Sequence, residues 1–234
     1  MRTCLLLFIA VILASSHAFA QFPQLAIRDD FNRVDEDPVD GGIWSNGIFA
    51  AGDCQIIGNQ LVKGNTGENT CYLTSLSNPE ELSMEVYGTY PSGTTHSGNT
   101  NTRLFMCLQD GLGTATVDGY VLRFKKEAAG NDLLSVERAD NGVLTRLGAT
   151  YGLEIDDGDK IGLERLENGD LNVYADQGGG WTFQFTRNDT TYSCGGTAIG
   201  AQVEHTSHAL DDFGGGGIPV QASSGSTFII IQYN

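Results

Sequence analysis

Apolar and polar residues alternate along this chain in the pattern of β-strands. Residues 82–87 alternate with a period of two, and short, mostly apolar runs follow at fairly regular intervals. Clusters of Gly, Asn and Asp, such as those at 140–142 and 167–169, separate the runs and favour turns. No stretch of a dozen residues shows helical periodicity. The pattern predicts an all-β antiparallel sandwich or barrel. The further predicted strands are 103–108, 120–124, 133–137, 160–166, 171–174, 181–185, 198–203 and 228–233.

The first twenty residues have the pattern of a secretory signal peptide. Arg2 supplies the positive charge, residues 5–14 form an apolar run, and residues 18–20 read Ala-Phe-Ala, an A-x-A cleavage site. An apolar run of this length is too short to cross a bilayer, which takes about 20 residues. We therefore predict that the mature protein begins at Gln21, is secreted and soluble, and forms a single domain over residues 21–234.

Charge narrows the range of partners. The chain has 13 Lys and Arg against 29 Asp and Glu, a formal net charge of −16. Nucleic acids and anionic membranes attract proteins with clustered Lys and Arg, so neither is an expected partner. Neutral ligands, cations and basic proteins remain open.

Four cysteines follow the predicted signal peptide, namely Cys54, Cys71, Cys107 and Cys194. An even number in an exported chain predicts two disulfides, for which three pairings exist. Cys54–Cys71 is favoured because both lie in strand-like segments on either side of a turn-rich stretch, which leaves Cys107–Cys194. Asn188 begins a standard glycosylation sequon, which is used only in a eukaryotic host.

Two segments near the ends of the chain carry a family resemblance. One reads Asp-Asp-Phe-Asn-Arg at 29–33 and is followed by Trp44; the other reads Ala-Leu-Asp-Asp-Phe at 209–213, and residues 118–123 and 158–164 lie between them. This order resembles the laminin-G-like, concanavalin A-like domains of exported proteins over nearly all of residues 25–234. The resemblance implies a two-sheet jelly-roll sandwich with its first and last strands side by side and Trp44 in the core.

The same resemblance implies a structural calcium ion where the terminal strands meet. Calcium takes six to eight oxygen ligands, often from carboxylates. Asp30 and Asp212 are the predicted ligands, with Asp29 and Asp211 in reserve. The alternative is that these are solvated surface acids, paired with arginines such as Arg33.

Alternation also predicts which side chains leave the core. Glu85 and Tyr87 share one face of 82–87, while Arg103 and Arg123 face outward on later strands. Aromatic rings beside hydrogen-bonding groups suit sugars, so a concave sheet displaying these four residues would be a ligand groove. The alternative is a set of cross-strand pairs, for example Arg123 with Glu137. Trp181 and Tyr192 are further candidate sugar platforms.

Catalytic motifs are incomplete. Glu154-Ile155-Asp156 begins the acidic strand motif of sandwich glucanases, but a turn follows and the third acid is missing. Gln202 and His205 would lie on opposite faces of a strand, unlike the pair of a polysaccharide lyase. The sequence thus predicts a secreted, non-catalytic recognition module that binds glycans or an extracellular surface partner. The alternatives are a structural or matrix protein, joining others through strand edges or a glycine loop at 214–217, and a hydrolase or lyase with an atypical site.

Overall fold

A computed structural model of the protein describes residues 21–39, 43–47, 53–64, 70–73, 80–90, 100–127, 130–205 and 208–219. The predicted signal peptide and the predicted strand at 228–233 lie outside these ranges. The described residues form sixteen β-strands. The strands are β1 Ile27–Asp29, β2 Trp44–Asn46, β3 Cys54–Ile57, β4 Gln60–Lys63, β5 Thr70–Leu73, β6 Ser83–Thr89, β7 Thr100–Gln109, β8 Asp118–Lys126, β9 Leu133–Asp140, β10 Val143–Arg146, β11 Tyr151–Gly152, β12 Lys160–Arg165, β13 Asp170–Asp176, β14 Thr182–Asn188, β15 Ala198–Val203 and β16 Ala209–Ile218.

The strands form two antiparallel sheets, as the sequence pattern predicts. The front sheet has the order β14-β13-β12-β6-β16-β4-β3, with β1 also paired to β16. The back sheet has the order β10-β9-β8-β7-β15-β5-β2, with β11 paired to β9. Among the described residues, no helix is long and apolar enough to span a membrane.

The first and last described strands lie side by side. Ile27 pairs with Gly214 and Asp29 with Phe213. The buried rings of Phe31 and Phe213 lie 5.8 and 5.2 Å from that of Trp44. The adjacency of the terminal strands and the core position of Trp44 are therefore confirmed.

A single apolar core fills the space between the sheets. The front sheet contributes Met84, Val86 and Leu163, and the back sheet contributes Leu104 and Leu122, all fully buried. Each such side chain contributes about 1.5–3 kcal/mol when it leaves water.

Both predicted disulfides, Cys54–Cys71 and Cys107–Cys194, are present. Strict alternation from Arg103 would put Cys107 on the outer face of β7 and Leu108 in the core, but the structure reverses both. The strand carries a bulge where Cys107 adopts a φ of 51°, so Cys107 points into the core and Leu108 joins an outer apolar cluster.

The expected glycine loop at 214–217 is also wrong, because these residues belong to β16. They pair with β6, and Gly214 lies opposite Tyr87. A Cβ on Gly214 would overlap the ring of Tyr87. Glycine is needed here for space, since the tyrosine ring lies over the neighbouring strand.

Candidate functional site

The four predicted ligand residues lie on two different sheets. Glu85 and Tyr87 are in β6 of the front sheet, whereas Arg103 and Arg123 are in β7 and β8 of the back sheet. The prediction of one shared groove is therefore wrong. Alternation assigns a side chain to one face of its strand, but it does not say which sheet the strand joins.

The two arginines belong to a cross-strand network on the back sheet. Arg123 donates to Asn101 Oδ1 at 2.7 Å and to Glu137 Oε1 at 3.3 Å, the pairing foreseen as the alternative. Arg103 donates to the side-chain oxygen of Gln202. Both guanidinium groups thus have partners within the sheet, and their role in binding a ligand stays a prediction.

A different set of side chains surrounds Glu85 and Tyr87. Glu164 of β12 lies opposite Glu85 on one side and opposite Asn172 of β13 on the other. In the same way, Gly162 lies between Tyr87 and Tyr174. Trp181, immediately before β14, contributes a further ring. We call this set the front groove: Glu85, Tyr87, Glu164, Asn172, Tyr174 and Trp181.

The front groove holds the chain's own residues 21–25, which we call the N-terminal strap. The ring of Phe22 stacks on Tyr174, with centroids 4.2 Å apart and planes 4° from parallel. It meets Trp181 edge-on at 4.9 Å, and only 3 % of the residue is exposed. A Cβ on Gly162 would lie 2.7 Å from Phe22 Cε1, so the missing side chain provides the space for the ring.

Polar contacts fix the rest of the strap. The backbone N–H of Gln24 donates to both carboxylate oxygens of Glu85 at 3.0 Å, and that of Leu25 donates to Oε1 at 2.6 Å. Tyr87 donates its hydroxyl to the carbonyl of Leu25 at 2.8 Å. The side-chain amide of Gln24 reaches Glu164 at 3.4 Å. As a result, Glu85 is fully buried.

The carboxylates of the front groove are held by uncharged donors. Glu164 accepts hydrogen bonds from Tyr174 at 3.0 Å and from Asn172 at 3.2 Å. Within the described ranges, neither Glu85 nor Glu164 forms a salt bridge. Burial raises the pKa of Glu85, and repulsion from Glu164 acts in the same direction. Burial also raises the pKa of Tyr87 to about 12. The groove therefore attracts O–H and N–H donors.

Sequence reasoning identified part of this site. Trp181, named as a candidate platform, borders the front groove, whereas the hydroxyl of Tyr192 donates to Asp140 at 2.6 Å, away from the groove. Glu164 and Tyr174 were missed, although alternation along the predicted strands 160–166 and 171–174 puts both on the outer face. Residues 21–25 match neither the pattern of a strand nor that of a helix, so nothing in the sequence predicts that they lie in the groove.

Of the acids predicted to bind calcium, Asp29 is already paired with groups of the protein. The carboxylate of Asp29 accepts hydrogen bonds from Trp44 Nε1 at 2.6 Å, from Arg33 at 2.6 Å and from the backbone N–H of Phe31 at 2.8 Å. No group of three or more His, Cys, Asp or Glu within the described ranges is arranged to hold a metal ion. A calcium ion at Asp30 and Asp212 would therefore need backbone carbonyls or water to complete its six to eight oxygen ligands.

The incomplete glucanase motif is not on a strand. Glu154 lies in the connection between β11 and β12, and its carboxylate pairs with Lys126 at 3.3 Å.

Comparison with known proteins identifies the fold. No protein-family model matches the sequence, and no curated protein matches it. The carbohydrate recognition domain of Emp46p aligns with 80 % of this chain and 92 % of its own, at a TM-score of 0.52 and 9 % identity. The exoplasmic/lumenal domain of VIP36, bound to Ca²⁺ and Man3GlcNAc, aligns with 78 % of this chain and 88 % of its own, at a TM-score of 0.54 and 12 % identity. A legume lectin-like domain from Entamoeba histolytica aligns with 79 % of this chain and 96 % of its own, at a TM-score of 0.53 and 10 % identity.

The fold is a concanavalin A-like jelly roll. The structural alignments establish this fold, and at sequence identities of 9–12 % they establish nothing about function. Jelly rolls of this kind host lectins, enzymes and adhesion modules, so the function must be argued from the front groove.

Proposed function

We propose that this protein is a secreted, non-catalytic module that binds glycans through the front groove. The observation that carries the proposal is the combination of three aromatic rings, two carboxylates and an amide on one sheet face. Aromatic rings pack against the apolar faces of sugar rings. Carboxylate and amide oxygens accept hydrogen bonds from sugar hydroxyls. Together they match the amphipathic character of a neutral pyranose.

The comparisons and the disulfides support this proposal. VIP36 was solved with mannose-containing glycans, and Emp46p is described as a carbohydrate recognition domain. Two disulfides are typical of proteins that leave the cytosol, in line with the predicted signal peptide. Calcium at Asp30 and Asp212 stays a prediction, which the same binding experiment tests.

A glycan array on the chain from Gln21, with calcium and again with chelator, tests the proposal. On a retained glycan, Trp181→Ala should weaken binding about 2- to 12-fold, since an aromatic stacking contact contributes about 0.5–1.5 kcal/mol. Tyr192→Ala is the matched control and should bind like the wild type. Equal binding by both variants, also in chains that lack residues 21–25, would place the glycan elsewhere. No glycan retained by the wild type of either length would favour the structural or matrix alternative.

A polysaccharide hydrolase is the second candidate, and the pairing of Glu85 with Glu164 favours it. Retaining glycosidases use two carboxyl groups about 5–5.5 Å apart, a spacing that facing residues on adjacent strands can reach. Release of reducing ends from a polysaccharide panel, abolished by Glu164→Gln, would establish this activity in place of simple binding.

A further inference from the structure

We propose that the N-terminal strap is a displaceable occupant of the front groove, competing there with the ligand. This inference rests on the proposed function, because it specifies how access to the same site is controlled.

The strap contacts the groove in the way that a ligand would. Phe22 offers a flat, apolar six-membered ring to Tyr174 and Trp181, the position suited to a sugar ring. The two N–H groups that reach Glu85 stand in the place of ligand hydroxyls. A glycan entering the groove would therefore replace one set of uncharged donors by another and leave no carboxylate without a partner.

The strap is followed by a paired strand and preceded by the predicted cleavage site. Downstream of Leu25, β1 pairs with β16, and Arg28 Nε donates to the carbonyl of Gly215 at 2.8 Å. Upstream, the predicted cleavage site lies immediately before Gln21. Cleavage there would leave five residues whose only covalent connection to the sheet is through β1, so they could leave the groove without disturbing the sandwich core.

Competition lowers the apparent affinity of the site. When the binding-competent form is only a fraction of the population, the measured Kd is the intrinsic Kd divided by that fraction. Weakening the strap must then strengthen ligand binding, which is the opposite of the usual effect of removing a buried aromatic ring beside a site.

The test uses the chain from Gln21, its Phe22→Ala variant and a Val34→Ala control. Val34 is 82 % exposed and makes no contact with the groove in the described structure. A second form beginning at Ala26 lacks the strap entirely. Two readouts are measured: affinity for the glycan retained on the array, and acrylamide quenching of Trp181 fluorescence. Trp44, the other tryptophan, is 5 % exposed and gives a constant background.

We expect Phe22→Ala and the shortened chain to bind the glycan at least threefold more tightly and to show stronger quenching than Val34→Ala. A synthetic peptide of residues 21–26 should reverse both effects on the shortened chain. Unchanged affinity and quenching would overturn the strap proposal and leave the glycan function intact. Unfolding of Phe22→Ala at 25 °C would also overturn it, because the strap would then be part of the core.

The two proposals can fail separately. Stronger quenching and binding of the peptide, with no glycan retained by any form, would support a displaceable strap and overturn the glycan function.

Discussion

At the scale of single residues, Gly214 shows how tightly the front sheet is packed. A Cβ there would overlap the Tyr87 ring, so Gly214→Ala should lower the free energy of unfolding by about 1–3 kcal/mol. Gly179→Ala is the matched control, since nothing lies within 4 Å of its added Cβ. Urea unfolding measures both. The loss of unfolding free energy caused by Gly214→Ala should be smaller in a Tyr87→Ala background. An equal loss in both backgrounds would contradict the packing argument.

Asp29 and Asp30 are neighbours in sequence with different roles. Asp29 accepts three hydrogen bonds in a buried site, whereas Asp30 is exposed. Asp29→Asn should therefore lower the free energy of unfolding by about 1.5–3 kcal/mol, because it weakens hydrogen bonds to a buried charge. Asp30→Asn should change stability by less than about 0.5 kcal/mol. Thermal unfolding with chelator and with calcium measures both. An Asp29 effect that appears only with calcium would mean that Asp29 is a metal ligand instead.

The burial of Glu85 has a consequence for pH dependence. Its pKa is raised above the ordinary 4.5, so the folded chain binds this proton more tightly than the unfolded chain. The free energy of unfolding should therefore be highest below pH 4.5 as far as Glu85 is concerned, and fall as pH rises through its folded pKa. Asp211 acts in the same direction. Asp30, Asp170 and Asp189 have lowered pKa values and act in the opposite direction, because the stability that they contribute is lost as pH falls from about 5 through their folded pKa values.

Urea unfolding between pH 4 and pH 7 tests this sign. Glu85→Gln removes the titrating group, so the decline in stability with rising pH should be smaller in the variant than in the wild type. An identical slope in both proteins would show that Glu85 keeps its ordinary pKa in the folded chain.

At the scale of elements, the sequence predicts strands well and their partners poorly. The runs 160–166 and 198–203 nearly coincide with β12 and β15, because period-two alternation is a local property. The separation of β6 from β7 into different sheets depends on a crossover that leaves no local pattern. The bulge at Cys107 and the four glycines of β16 break the usual composition of strands, and both were misassigned for that reason.

The two disulfides should differ in their contribution to stability. Cys54–Cys71 spans 17 residues and Cys107–Cys194 spans 87. In the chain-entropy model a longer loop gives more stabilisation, about 3 kcal/mol for the first and about 4.5 kcal/mol for the second. Serine pairs replacing each disulfide, compared by urea unfolding, measure the difference. A larger loss at Cys54–Cys71 would show that strain or residual structure, rather than loop length, decides the order.

At the scale of the whole molecule, charge and the front groove act together. The net charge of −16 repels anionic ligands at a distance, and Glu85 and Glu164 repel them within the groove. Neutral glycans are therefore better suited to this protein than sulfated or uronic-acid glycans. The same field destabilises the compact chain, because its like charges are closer together when folded than when unfolded.

Salt separates this general repulsion from specific metal binding. At pH 7, raising NaCl to 0.15 M or above should raise Tm by about 2–4 °C, which corresponds to about 1 kcal/mol for a chain of this size. Calcium bound at Asp30 and Asp212 would stabilise the folded chain, so CaCl2 at the same ionic strength should give a higher Tm than NaCl. An Asp30→Asn, Asp212→Asn double variant is the control. The additional rise in CaCl2 should be lost in that variant, and equal Tm values of the wild type in the two salts would overturn the prediction of calcium between the terminal strands.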